Sequence, residues 1–137
     1  MLVAILSLIP LFSCNSGNND EDSFKNDVEY QYVIRMCNIL KNKMKNPDSF
    51  SVSGTCKYST NEQQTKFVVI PFRGQNGFGG YTTDTAYFSK DTFRGTYNEY
   101  KSSNCSYDIV TKIIISDMIE STNWDKYYTA EQVNHGL

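Results

Sequence analysis

The sequence predicts an α+β fold: an N-terminal helix packed on a small antiparallel β-meander of three to four strands, with a C-terminal helix favoured beyond it. Three observations carry this. Apolar residues recur at three- and four-residue spacing from Tyr30 to Met44 and stop at Asn46-Pro47. Apolar and polar residues alternate from Phe50 to Tyr58, the period of a half-buried strand. A glycine-rich turn containing Asn-Gly separates two strand-like runs, Lys66 to Arg73 and Tyr81 to Ser89.

The helix is expected to begin at Asn26, where Asn26-Asp27-Val28-Glu29 has the form of a capping box. Tyr30, Val33, Cys37, Leu40 and Met44 share one face, flanked by Ile34 and Met36. Asn46-Pro47 is the expected stop, because proline restricts the residue before it and lacks an amide hydrogen. In the next strand, Phe50, Val52, Cys56 and Tyr58 share a face, and Gly54 marks a bulge or a close approach to the helix. Residues 59–65 are polar and form a turn. Lys66 to Arg73 is apolar on both faces, and Pro71 places part of it at an edge or a bulge. Thr92 to Tyr100 reads as a fourth strand.

Residues 107–120 are rich in β-branched side chains. As a helix they would gather Ile109, Val110, Ile113, Ile114 and Met118 on one broad face and leave Ile115 and Ile119 outside it. As a strand they would need both faces buried, so helix is favoured. Trp124 to Tyr128 should pack back on the domain.

Residues 1–13 are uncharged and largely apolar, and they run through Leu11-Phe12-Ser13 into Cys14, after which Asn15 to Asp22 is polar and acidic. That layout matches a bacterial lipoprotein signal, with Cys14 lipidated as the mature N-terminus, although the usual positive charges near Met1 are missing. The run is too short for a membrane-spanning helix, which needs about 20 apolar residues. The alternatives are a plain secretory signal and a buried N-terminal element. The second is disfavoured because the residues after Ser13 carry too little apolar surface to bury. On this reading residues 14–25 are a flexible tether, residues 26–128 a single domain and residues 129–137 a loose tail. Acyl chains on Cys14, each contributing about 0.8 kcal/mol per buried methylene, would anchor the exported chain at the cell envelope.

A net charge of −2 argues against nucleic acid, which needs a clustered basic surface. Lys41, Lys43 and Lys45 are better explained as complements to a helix dipole. If Cys14 is acylated, Cys37, Cys56 and Cys105 remain, an odd number that allows one bridge at most. Cys37 lies about 15 Å back along the helix from Pro47, and Cys56 about 30 Å forward along an extended strand. The two would not be level, so Cys56 with Cys105 is the preferred pair, with no bridge as the alternative. No metal is expected: there is no Cys-x-x-Cys, and the single histidine, His135, lies near the C-terminus. No cofactor motif is present either. The run Gly74 to Gly80 is followed by strand-like residues and has no lysine behind it, so it lacks the form of a phosphate loop.

An enzyme needs an activated nucleophile or an acid–base pair within reach. The cysteines have no credible histidine partner. A carboxylate pair such as Asp84 with Asp91 or Glu99 is the remaining option. A binding or scaffolding module fits better, because Phe72, Phe78, Tyr81, Tyr87, Phe88, Phe93, Tyr97 and Tyr100 crowd the hairpin and the segment after it. Aromatic residues are also ordinary strand formers. The expected ligand surface is Asn76, Phe78 and Tyr81 around the turn, and the partner an envelope protein or polymer.

The strings Leu40-Lys-Asn-Lys-Met-Lys-Asn-Pro-Asp-Ser-Phe50 and Gln75-Asn-Gly-Phe-Gly-Gly-Tyr81 resemble a small domain of bacterial exported proteins, lipoproteins and prophage-encoded proteins. The resemblance covers roughly residues 30–90, and Pro71-Phe72 departs from it. It implies a helix–strand–hairpin fold and an envelope location, and assigns no catalytic residue. The kind of relatives it points to leaves open a second role, interference with incoming phage DNA or a toxin.

Overall fold

The computed structural model describes residues 22–75 and 78–137. Residues 1–21, including Cys14 and most of the expected tether, lie outside the described residues, as does Asn76.

Among the described residues the fold is α+β. Helix α1 spans Val28–Asn42, and six strands follow in one antiparallel sheet: β1 Ser51–Val52, β2 Cys56–Thr60, β3 Lys66–Gln75, β4 Tyr81–Ser89, β5 Thr92–Thr96 and β6 Lys126–Tyr128. Between β5 and β6 lie α2 (Tyr97–Lys101) and α3 (Ile109–Glu120), and α4 (Ala130–His135) closes the chain. The strand order is β5-β4-β3-β2-β6, with β1 paired to β3 beside β2.

The sheet is covered on both faces. Cys56, Tyr58, Val68, Ile70, Phe72, Ala86, Phe88 and Tyr128 form one core layer with Tyr30, Val33, Met36, Cys37 and Leu40 of α1 and Val133 of α4. Val69 and Tyr87 point the other way, into a second cluster with Ile115 and Met118 of α3. This double cover explains why Val68, Val69 and Ile70 are all buried in succession.

Helix α1 buries Tyr30, Val33, Cys37 and Leu40 of the expected stripe, with Tyr32 and Met36 in addition, whereas Met44 lies past its end and is half-buried. Its boundaries differ from expectation at both ends. Asp27, not Asn26, occupies the N-cap, and its side chain makes no capping bond. Its carboxylate instead accepts from Tyr128 Oη at 3.0 Å and pairs with Lys126 Nζ at 3.5 Å, tying the helix start to β6. The helix ends at Asn42, and Pro47 opens a separate 3-10 turn, Pro47–Ser49. Of the three lysines only Lys41 lies in the last helical turn, while Lys43 stands 5.5 Å over the Phe93 ring.

The strand expected from Phe50 to Tyr58 is two strands. β1 pairs Val52 with Phe72 and β2 pairs Lys57 with Val69, so residues 53–55 bulge out of register between them. Pro71 sits opposite that break. β3 is an interior strand, and the proline is tolerated where no partner asks for its missing N–H. Gly54 packs on Pro71, whose Cβ would lie 3.2 Å from an added methyl, and not on the helix.

The expected fourth strand, Thr92 to Tyr100, stops at Thr96, whose hydroxyl accepts from Glu99 N and caps α2. The helix expected from residues 107–120 forms, capped by Asp108 Oδ1 on Thr111 N at 2.7 Å. Its buried face is only partly the expected one: Met118 is buried, Ile114 half-buried and Ile119 exposed as expected, but Ile115 is fully buried and Ile109, Val110 and Ile113 are exposed. The tail is not loose. Thr129 and Gln132 form a capping box, Val133 is fully buried, and Asn134 pairs with both backbone groups of Val52, at 2.8 and 2.9 Å. At the other end, Ser23–Asn26 form a 3-10 turn, and Phe24 meets Tyr30 edge-on at 4.9 Å, so the fold starts before Asn26.

Candidate functional site

The residues expected to carry function are dispersed. At the tip of the β3–β4 hairpin, Phe78 is fully exposed and Tyr81 half exposed, with the Arg73 guanidinium 4.1 Å above the Tyr81 ring. Asp84 and Asp91 do not pair. Asp84 Oδ1 accepts from Thr85 N at 2.8 Å and Asn98 N at 2.9 Å, which fixes the start of α2. Asp91 bonds to Tyr32 beyond the far end of β4. Glu99 and His135 are exposed at the surfaces of α2 and α4. Among the described residues, no group of three His, Cys, Asp or Glu side chains is arranged to hold a metal ion.

The preferred Cys56–Cys105 pair is not formed: Cys37, Cys56 and Cys105 are all free thiols. Cys56 is fully buried on the α1 side of the sheet, and its thiol neighbour is Cys37. Cys105 lies half-buried in the loop between α2 and α3. The sequence argument failed because it ran both segments straight out from Pro47. The helix ends at Asn42, and the turn at residues 47–49 folds the strand back beneath it.

A built concavity lies elsewhere, where the last turn of α3 meets the end of β2 and the start of β3. The chain leaving α3 turns at Ser121, where Trp124 Nε1 donates to Ser121 O at 3.3 Å. It is then clamped to the end of β2: Asp125 N donates to Tyr58 O at 3.0 Å, and Asp125 Oδ2 accepts from Thr60 N at 3.0 Å. This clamp sets Trp124 beside Phe67 and Met118, and the three form the apolar floor of a cavity of about 210 Å³. Ser59, Thr60, Asn61, Asp117 and Ser121 make its rim. Asn61 Oδ1 is engaged by Gln63 N and Thr65 N, which orders the β2–β3 turn. The Asp117 side chain stands exposed outside both ion pairs found among the described residues, Lys25–Asp22 and Lys126–Asp27.

Chemically the cavity can seat one ring-sized group, pressing an apolar face on the indole and phenyl side chains and offering hydroxyl, amide and carboxylate partners at its edge. Drug-sized ligands need roughly 300–1,000 Å³. A larger depression of about 430 Å³ beside Arg35, Met36, Asn38, Ile39 and Asp91 is less suited. Its two charged groups are already committed to Tyr32, Asp91 by hydrogen bond and Arg35 at 5.1 Å over the ring. Sequence reasoning missed the Trp124 site because its walls come from three separate segments. The one local signal was that Trp124 is the only tryptophan in the chain.

No family model, no curated protein and no solved structure matches this chain.

Proposed function

We propose that this chain is a lipid-anchored protein of the bacterial cell envelope that works as a binding module, taking its ligand in the Trp124 cavity. The observation that carries the binding role is the aromatic floor of Phe67 and Trp124 beneath a rim of small polar side chains and one carboxylate that is in no ion pair among the described residues. Such a surface suits a ligand with one apolar face and a hydroxyl-bearing edge, of which a sugar ring of an envelope glycan is the nearest chemical class. The anchor rests on the apolar run ending at Cys14. Among the described residues, no helix is long and apolar enough to cross a membrane.

Two measurements test the two halves. Mass spectrometry of the membrane fraction should find a mature N-terminus at acylated Cys14, lost together with membrane association in Cys14→Ser. An unmodified Met1 in the soluble fraction would end the envelope reading. Because Trp124 is the only tryptophan, its emission reports directly on the cavity. Titration with soluble peptidoglycan fragments should shift that emission, and Asp117→Ala should weaken the apparent affinity about tenfold, as expected for one charge-assisted hydrogen bond. An emission unmoved by any fragment would reject the glycan.

The fully exposed Phe78 at the hairpin tip, beside the Arg73–Tyr81 stack, favours a second reading in which the tip docks on a protein. That surface would serve interference with an incoming phage or toxin component. A co-purifying injection or toxin protein, lost on Phe78→Ser with the emission response intact, would select it.

A further inference from the structure

Cys37 sits on the buried face of α1 and Cys56 opens β2, and both side chains are fully buried in the same core layer. α1 packs directly on β2 in that layer, so the two thiols belong to one helix–sheet contact, and Cys56 is the group that acts most strongly on the Cys37 thiol. We propose that Cys37 and Cys56 close an intrachain disulfide when the chain folds outside the cytoplasm, an inference that rests on the exported location proposed above. Cys105, half-buried in its own loop, stays a free thiol.

The chemistry is thiol–disulfide exchange with an oxidising dithiol protein or small-molecule disulfide. One cysteine thiolate attacks the partner's disulfide, forming a mixed disulfide and releasing one partner thiol. The second thiolate then attacks the mixed disulfide at the chain's own sulfur and releases the second partner thiol. Two S–H bonds are replaced by one S–S bond, and the two electrons and two protons leave on the reduced partner. The folded core resists this step. Neither sulfur is exposed, and the interaction with Cys56, reinforced by burial, holds the Cys37 thiol well above its ordinary pKa. Oxidation therefore belongs to folding, before α1 seals the sheet, and the finished bridge is shielded from reductants.

The test uses the full chain expressed with its own leader, denatured in a thiol-blocking reagent without reductant and digested with trypsin. Lys41, Lys43 and Lys45 separate the two cysteines, so a bridge links the peptides 36–41 and 46–57. The expected result is that linked pair, with Cys105 alone carrying the blocking label. Cys37 and Cys56 both labelled in a chain whose Cys14 is acylated would overturn the disulfide and leave the envelope reading intact. If the chain proves unprocessed and cytoplasmic, the location fails separately. The purified, denatured chain is then refolded in a buffer of reduced and oxidised glutathione. Recovery of the 36–41/46–57 pair supports the geometry, and refolding without it overturns the proposal.

Discussion

The Tyr32 hydroxyl donates to the Asp91 carboxylate and accepts from the Asp91 backbone N–H at 3.1 Å, joining the middle of α1 to the β4–β5 turn. That turn carries two non-glycine residues in the left-handed region, Lys90 at φ 53° and Asp91 at φ 62°. A two-residue hairpin requires this geometry, and here no glycine supplies it. The bonds to the buried Tyr32 offset the local strain. Tyr32→Phe should therefore lower stability by about 2 kcal/mol, the usual worth of a hydrogen bond to a charged group, read as a lower urea midpoint at unchanged slope. A midpoint equal to that of the parent would show that the pair is incidental.

Burial also sets the response to alkali. Tyr30, Tyr32, Tyr58, Tyr87 and Tyr128 are all held above the ordinary tyrosine value, chiefly by desolvation of the phenolate, and Tyr87 is pushed up to about 12. For Tyr32 and Tyr128, bonds to Asp91 and Asp27 add to the rise. In the unfolded chain these groups ionise near pH 10. Their native protonation thus contributes stability that is complete below pH 10 and is lost as pH rises toward the folded values. Denaturant midpoints should fall steeply above about pH 10, and phenolate absorbance should show a late phase that coincides with loss of helical circular dichroism. Reversible ionisation of all ten tyrosines in one step near pH 10, with the fold intact, would contradict this.

Helix α3 shows which part of the fold the sequence could disclose. Its existence was legible, but its orientation was not, because Ile and Val occupy almost every side of it and periodicity has no contrast to report. The sheet decides: Ile115 and Met118 meet Val69 and Tyr87, while Ile109, Val110 and Ile113 are left outside. Ile115→Ala should cost about 2–5 kcal/mol, as for other buried aliphatic deletions. Ile113→Ser should stay within about 0.5 kcal/mol. Thermal denaturation of the two variants checks the assignment, and the reverse ranking would restore the face expected from sequence.

The same contrast separates the rest. The Tyr30–Leu40 stripe and the β3–β4 hairpin were readable because each is encoded within one segment. The β1–β2 break, β6 and the Trp124 cavity depend on pairing between distant segments: Pro71 with residues 53–55, Tyr128 with Cys56, and Trp124 with Phe67. Local pattern carries no record of such partners. The closing helix was misread because terminal position was taken for mobility, whereas the Thr129 capping box was written in the sequence.

Two glycines in the sheet should respond very differently to alanine. Gly95 is buried at φ 144°, opposite Tyr87 at the β4–β5 irregularity, and an added Cβ would lie 2.5 Å from the Tyr107 ring and hydroxyl. Tyr107 cannot move aside without cost, because its hydroxyl accepts from Thr96 N at 3.1 Å and its ring packs in the α3-side cluster. Backbone strain and overpacking together should cost Gly95→Ala about 2–5 kcal/mol. At Gly74 an added Cβ would meet chiefly the terminal methyl of Met44, the far end of an unbranched and half-buried chain. Met44 can change rotamer, so Gly74→Ala should cost less than about 1 kcal/mol. Combining Gly95→Ala with Tyr107→Ala should not restore stability, since the φ strain remains and the Thr96 N–H loses its acceptor. Urea midpoints for the three variants decide the matter, and equal losses at the two glycines would show that the Tyr107 contact does not fix the β5–α2 corner.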